Sequence, residues 1–417
     1  MKSVLLLLSI LLPSISFSQG LAGKKSGTSK NGLTPVIQVK LIPTELKVPS
    51  KFKSFLPGSY SVNIPEGYEA QIFCAGGFSK PRFMDWSPDS VLHVICMNSG
   101  DVIAMPDKNH DHIADTSIVV AKNAYGHDLE FYKNDLYVAE EMKVEKLSDL
   151  DKDGFYETRV VFIDSILPGK QRPPGGHTSR TIVFDDKNQK VYLSVGSLCN
   201  VCRETHRAVI YEYDINGKNK KIFASGTRNC VGMTLNPSTN KLWATNNGSD
   251  HQGNEIPPEW VDVIEKDGFY GYPFAYGYRH FFDFNLGEDY KLLLPITSTD
   301  SALVNKMKAP EALLQSHSAP MAIDFSNSSF KKNYRSGAFI AYRGSWDREP
   351  ATGYKAVFLH FDKDQQVTGV SDFLTGFLHE GGTPWARPVG IETDLRGNLF
   401  LGSDNINEFI LIVSPKP

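Results

Sequence analysis

Five short segments of this chain combine residue types that do chemistry with glycine-rich or polar turns that expose them. They are PPGGHTSR (173–180), SGTRNCVG (225–232), TNNGSDHQGNEIPPEW (245–260), YRGSWDR (342–348) and WARPVG (385–390). His177 in the first offers a neutral imidazole, and a reference pKa near ~6.5 suits proton abstraction at neutral pH. The PPGG run before it lets backbone approach closely and leaves the ring open to a ligand. Arg228, Arg343, Arg348 and Arg387, with Arg180 as a weaker member, offer planar, permanent cations that grip carboxylates through paired hydrogen bonds. Two further stretches are acidic. DLDKDGFYE (149–157) sets Asp149, Asp151, Asp153 and Glu157 around Gly154, like the start of a calcium loop but without its full spacing to a bidentate Glu. PDKNHDHIAD (106–115) is a looser version. Both read equally well as solvated turns.

The elements that position these residues recur along the chain. FMDWSPDSVLHVICM (83–97), DLEFYKNDLYVAEE (128–141), RTIVFDDKNQKVYLSVGS (180–197), VGMTLNPSTNKLWATNNG (231–248), MAIDFSNSSFKKNYRSGAFIAYRGS (321–345) and VGIETDLRGNLFLGSD (389–404) share one pattern. Each has a short apolar strand, a polar turn, and a strand that ends in small or polar residues. Long insertions in the fourth and fifth units make the spacing irregular. Six such units over residues 59–417 predict an all-β, six-bladed β-propeller, each blade a small sheet packed on its neighbours. The strand SVNIPEGYEAQIF (61–73) precedes the first unit and is expected to complete the last blade. In such a ring the ends of the repeats converge on one face, and the five segments sit at those ends.

Met1-Lys2, the apolar run 4–12 and the small residues before Gln19 have the layout of a secretory signal peptide over residues 1–18. The apolar run is well short of the roughly 20 residues of a spanning helix, and no later stretch is apolar enough to cross a membrane. The mature chain is therefore expected in the periplasm or outside the cell. Residues 19–58, rich in Gly, Ser, Lys and Pro, are expected to form a poorly ordered tail. A hydrophobic content of 41% over 417 residues suffices for a large core. The net charge of −3 argues against nucleic acid or an anionic membrane as the main partner. Cys199 and Cys202 form a C-x-x-C without a second such pair, without matching histidines for zinc and without a thioredoxin-like context. In an exported chain they are expected to form a local disulfide, and Cys74 and Cys96 could also pair.

GGHTSRTIVF, KVYLSVGSLCNVCRE, FASGTRNCVGM, the PPE segment, APM with YRGSWDREPATGYK, and RPVG occur here in one order. In that order the chain resembles the glucose/sorbosone dehydrogenases, which oxidise sugars with pyrroloquinoline quinone (PQQ), and most closely their sorbosone and pyranose dehydrogenase branch. The resemblance runs from about residue 60 to the end. It implies that His177 is the base on the sugar hydroxyl and that Arg228 and Asn229 contact PQQ, with Cys230 in place of the usual Pro. It implies Arg343, Arg348 and Arg387 for the remaining carboxylates. It also implies a Ca²⁺ beneath PQQ, held by the carbonyls of Gly248 and Ser249 with Asp250 nearby. The better-studied glucose enzymes carry an acid just before the histidine, where Gly176 stands here. No C-x-x-C-H haem motif occurs, so electrons would pass to an external acceptor. Two other classes stay open. A Ca²⁺-dependent propeller hydrolase such as a lactonase has no use for the arginine set, and a non-catalytic propeller would only bind a carbohydrate or a protein.

Overall fold

The computed structural model describes residues 23–26, 29–32, 34–167 and 176–416. The expected signal peptide, and Pro173, Pro174 and Gly175 ahead of His177, lie outside the described residues. Six sheets of four antiparallel strands, the third extended by the short parallel strand Gly268–Phe269, follow one another around a central channel, as the six repeats predict. Their first strands are Pro81–Trp86, Gly126–Tyr132, Ile182–Asp185, Met233–Leu235, Pro320–Phe325 and Pro388–Thr393, and these touch in a closed ring. Strand alternation explains the layers: buried Leu129, Leu136, Val138 and Leu147 pack toward one neighbouring blade, while Tyr137, Ala139 and Val144 pack toward the other.

The chain's two ends close the ring. The expected strand over 61–73 is resolved as two, Ser61–Pro65 and Tyr68–Ala75. The second pairs with the C-terminal strand Asn407–Pro415 and completes the sixth blade. Ile72, Phe73, Leu411 and Val413 are buried along that seam, so the closure is apolar as well as hydrogen-bonded.

Residues 34–58 depart from the expected tail. Leu41–Glu45 pairs with Ser61–Pro65, and Ile37 and Val370 exchange backbone hydrogen bonds with each other's strand at the rim of the fifth blade. Leu46, Phe52 and Leu56 are buried in the main core. Three widely spaced apolar residues anchor a segment whose composition alone reads as solvated.

The insertion in the fourth blade, between Glu259–Val263 and Ala312–Leu314, holds two short helices, Glu288–Lys291 and Ser298–Asn305. Thr297 and Asp300 cap the second reciprocally. Among the described residues no helix is long and apolar enough to cross a membrane. Cys199 and Cys202 are disulfide-bonded as expected, whereas Cys74 and Cys96 are both free and buried, as is Cys230.

Candidate active site

In the first, second, fifth and sixth blades the register slips at the start of the innermost strand, at Pro81/Met84, Gly126/Asp128, Pro320/Ile323 and Pro388/Ile391. Such a bulge leaves an extra residue out of the ladder and re-aims its side chain. Arg82 and His127 stand in two of these bulges. At this end of the strands lies a cavity of about 510 Å³. Of the predicted site residues, His177, Arg228, Asn229, Gly248, Asp250 and Arg343 line it, together with Lys80, Arg82, Glu259 and His317.

His177 is half-buried, and its Nδ1 lies 3.0 Å from both the carbonyl and the hydroxyl of Ser197. Donation of a ring N–H to that carbonyl puts the proton on Nδ1 and leaves Nε2 as a lone pair. Burial, and then the Arg228 guanidinium, push the pKa down to about 3, so the ring is neutral at physiological pH. Two glycines make room for it. A Cβ on Gly196 would lie 2.6 Å from the Cβ of His177. Gly176 has φ +79°, and a Cβ there would lie 2.8 Å from the Cα of Leu198, which explains why an acidic side chain is absent.

Arg228 uses all five of its N–H donors inside the protein. Nε donates to the Asn200 carbonyl at 3.0 Å, and Nη2 to Asn200 Oδ1 at 3.0 Å and Asp250 Oδ2 at 3.1 Å. Nη1 donates to the carbonyls of Asn247 and Gly248. The cations with spare capacity are elsewhere. Arg343 Nε lies 3.0 Å from both carboxylate oxygens of Asp404, and Arg82 Nη1 donates to the same carboxylate. Lys80 joins them in the cavity wall, where burial and then Arg82 hold its ammonium below the usual lysine value. Arg82 and Arg343 thus share the fully buried carboxylate of Asp404, and Lys80 feels its charge from the same wall while its backbone N–H donates to Glu408.

The structure does not bring the other two predicted arginines to the cavity wall. Arg387 donates to the carbonyls of Arg343 and Gly344 and lies over the Tyr354 ring, so it braces the turn that presents Arg343. Arg348 pairs with Glu255 at 2.6 Å and with the Asn254 carbonyl. Arg180 is fully buried and donates to the carbonyls of Glu141 and His177, tying the end of the second blade to the start of the third.

The opposite wall is rich in oxygen. Gly248 and Asp250 line the cavity, whereas Ser249 is 2% exposed and holds its hydroxyl 2.8 Å from that of Tyr290. Burial pushes the Glu259 carboxyl up to about 7. Burial also works against the Asp250 charge, but His317 and Arg228 together hold it below the usual carboxylate value. Burial lowers His317, yet Asp250 and Glu259 hold it above the ordinary imidazole value, so Asp250 and His317 form an ion pair at 3.7 Å. One wall suits a polyanion, the other offers ligands to a hard cation, and the same cavity holds a neutral imidazole.

Away from this cavity, Asp149, Asp151, Asp153 and Glu157 bring carboxylate oxygens within 4.8 Å of one another in a loop of the second blade. The stretch 106–115 forms no such group.

Sequence reasoning missed Lys80, Arg82 and the Asp404 carboxylate beneath them. The signal was present: SKPRF puts two cations just ahead of the first repeat, the position that His127, His177, Arg228 and His317 hold in later ones.

The sequence model of the TrAA12-like family matches residues 62–415. The fold is shared with the holo PQQ domain of pyranose dehydrogenase from Coprinopsis cinerea, at 20% identity over 85% of this chain and 97% of that one, with a TM-score of 0.68. A calcium structure of a Trichoderma reesei enzyme of family AA12 matches at 19% identity over 92% and 99%, with a TM-score of 0.70. A PQQ-bound aldose sugar dehydrogenase from Streptomyces coelicolor matches at 13% identity over 84% and 99%, with a TM-score of 0.54. An uncharacterised protein of Borreliella burgdorferi is 27% identical over 367 residues, 85% of this chain and 92% of its own length.

Proposed function

This chain belongs to the TrAA12-like family, and from that premise we propose that it is an exported quinoprotein dehydrogenase that oxidises a hydroxyl or hemiacetal of a sugar or sugar-derived aldehyde. The observation that carries the reading is the cluster of Lys80, Arg82 and Arg343 in the wall of the cavity that holds His177, two of them paired to the one carboxylate of Asp404. Two guanidinium groups on one carboxylate, with the Lys80 ammonium in the same wall and unpaired among the described residues, leave uncompensated positive charge, and PQQ carries three carboxylates. Arg387 and Tyr354 position the Arg343 turn for that contact, and Asn229 adds a side-chain amide to the same wall. Gly248 and Asp250 are the oxygen donors for Ca²⁺. The Gly248 carbonyl also accepts from Arg228, which would hold that oxygen in place for the cation.

When bound, PQQ supplies the acceptor for the hydride of the sugar carbon, with Ca²⁺ as a Lewis acid on the quinone carbonyl. The chain supplies the proton chemistry. Ser197 holds His177 in the tautomer whose Nε2 takes the hydroxyl proton. The low pKa keeps that nitrogen unprotonated before each turnover. Electrons then leave to an external acceptor, such as a quinone, a cytochrome or a dye. Export is supported by the layout of residues 1–18 and by the Cys199–Cys202 disulfide, which persists in oxidising compartments. We assign the group Asp149, Asp151, Asp153 and Glu157 to a separate, structural Ca²⁺.

The test is dye reduction by purified chain titrated with PQQ and Ca²⁺ against a sugar panel. Sugar-dependent reduction that requires both additions is the expected result, and reduction that ignores PQQ overturns the reading.

A further inference from the structure

A second cavity of about 540 Å³ opens beside the first, and the two share Met97 and Thr178 in their walls. Its own wall comes from the second blade: Tyr125, His127, Glu140, Glu141 and Lys143. Two polar atoms in that wall are left over. His127 is 2% exposed, and its Nδ1 lies 3.1 Å from Arg82 Nε. A guanidinium Nε always carries hydrogen, so Nδ1 is the acceptor and the ring proton sits on Nε2. That Nε2–H is buried and has no hydrogen-bond partner among the described residues. The same holds for Oε1 of Glu140. One is a donor without an acceptor, the other an acceptor without a donor.

Buried polar atoms are nearly always paired, so an orphan of each kind in one cavity wall points to a ligand that supplies both partners. A hydroxyl group does so, because it accepts from N–H and donates to carboxylate. The charge of the wall narrows the choice. Glu140, Glu141 and Asp164 line the cavity with one cation, Lys143, which is already 2.5 Å from Glu145 and 3.7 Å from Glu140. A carboxylated ligand meets repulsion there, and a neutral polyol does not. Tyr125 stands at the rim with 53% of its surface exposed and offers a flat apolar face to the C–H side of a ring. The volume falls within the range of small-ligand sites.

We infer that this side cavity is the subsite for the non-reacting hydroxyls of the substrate, and that it selects a neutral pyranose over a uronic acid. The inference rests on the dehydrogenase reading for the place of the reacting carbon, which lies past Met97 and Thr178 beside His177. Arg82 joins the two cavities, since it bonds His127 on one side and lines the cation cluster on the other.

Calorimetry on the PQQ-free full chain with D-glucose, D-galactose, D-xylose and D-glucuronate tests the subsite apart from the chemistry. At least one neutral sugar is expected to bind about tenfold or more tightly than glucuronate. Glu140→Gln is expected to weaken the neutral sugars by about tenfold and to narrow that preference. Tyr125→Ala, at an exposed position that leaves the fold intact, is expected to weaken them by about threefold. In the loaded enzyme both changes raise KM while kcat stays within about twofold. Sugar affinities and KM values that stay within about twofold in both variants overturn the subsite, as does a wild-type chain that binds no neutral sugar. Glu140-dependent sugar binding by a chain that takes up no PQQ keeps the subsite and removes the dehydrogenase reading.

Discussion

At the start of the innermost strands stand Arg82, His127, His177, Arg228 and His317, with Lys80 beside them. A few residues further along the strands of the first, second, fifth and sixth blades stand Asp85, Glu130, Asp324 and Glu392, at equivalent positions of the repeat. The two ends of one channel thus carry groups of opposite kind, and they handle them differently. At the acidic end the backbone of the next blade answers three of the four carboxylates: Asp85 accepts from Phe131 N at 2.6 Å, Glu130 from Phe184 N at 3.5 Å and Asp324 from Thr393 N at 2.8 Å. These contacts bind each blade to its neighbour. At the basic end the cations outnumber their acids and face a cavity. The buried acids hold protons or hydrogen-bond within the fold, whereas the guanidinium groups of Arg82 and Arg343 keep their charge beside the cavity.

The sharpest way to break this contrast is His177→Ala against Glu392→Gln. The first is expected to lower kcat by roughly 10²–10⁴-fold, the usual size of a general base, with PQQ affinity nearly unchanged. The second is expected to leave kcat within about twofold, and steady-state dye reduction measures both. The pH profile sharpens the point. With its pKa near 3, His177 stays neutral from pH 5 to 8, so no acid limb near ~6.5 is expected in kcat/KM. Such a limb that vanishes in His177→Ala would show an ordinary, solvated imidazole.

A smaller effect separates the arginines. Arg343→Ala is expected to weaken PQQ by about tenfold or more, as the loss of a charge-assisted bond. Arg348→Ala, whose guanidinium pairs with Glu255, is expected to shift affinity by less than about twofold. Equal losses in a fluorescence titration would mean that the cation cluster is not the clamp.

The smallest effect belongs to the acidic end. Burial raises the Asp85 carboxyl to about 7, and burial with Asp324 and Asp85 raises Glu392 well above its usual value. The folded chain therefore holds these protons more tightly than the unfolded chain does. Stability gains as pH falls through about 7 toward the ordinary carboxylate range and loses as pH rises. The melting temperature is expected to rise by roughly a few degrees from pH 8 to pH 5, and Glu392→Gln to flatten that rise. A steeper rise in the variant would contradict the repulsion between these groups.

The fold was legible because its signals are local. Turns such as SPDS, YKND and DDKNQK bracket alternating strands, and each blade forms from neighbours in sequence. The cavity wall was legible where one motif carries both residue and turn, as for His177, Arg228, Asn229 and Gly248. It was not legible where partners are far apart: Arg82 and Asp404 meet across 322 residues. Nor does sequence reveal which way a side chain leaves a blade-end turn. YRGSWDR sends Arg343 into the cavity and Arg348 to Glu255. The 34–58 segment was misread because three anchors, Leu46, Phe52 and Leu56, outweigh a polar composition once a core is present to receive them.

The central claim is that surplus positive charge at the strand starts holds a tricarboxylate beside a neutral base. The direct measurement is a binding titration of the wild-type chain, in Ca²⁺, with PQQ and with its trimethyl ester. The ester keeps the quinone and the ring system but carries no charge. PQQ is expected to bind at least about a hundredfold more tightly than the ester, and raised salt is expected to shrink the gap. Equal affinities for the two, or no uptake of PQQ at all, would contradict the claim.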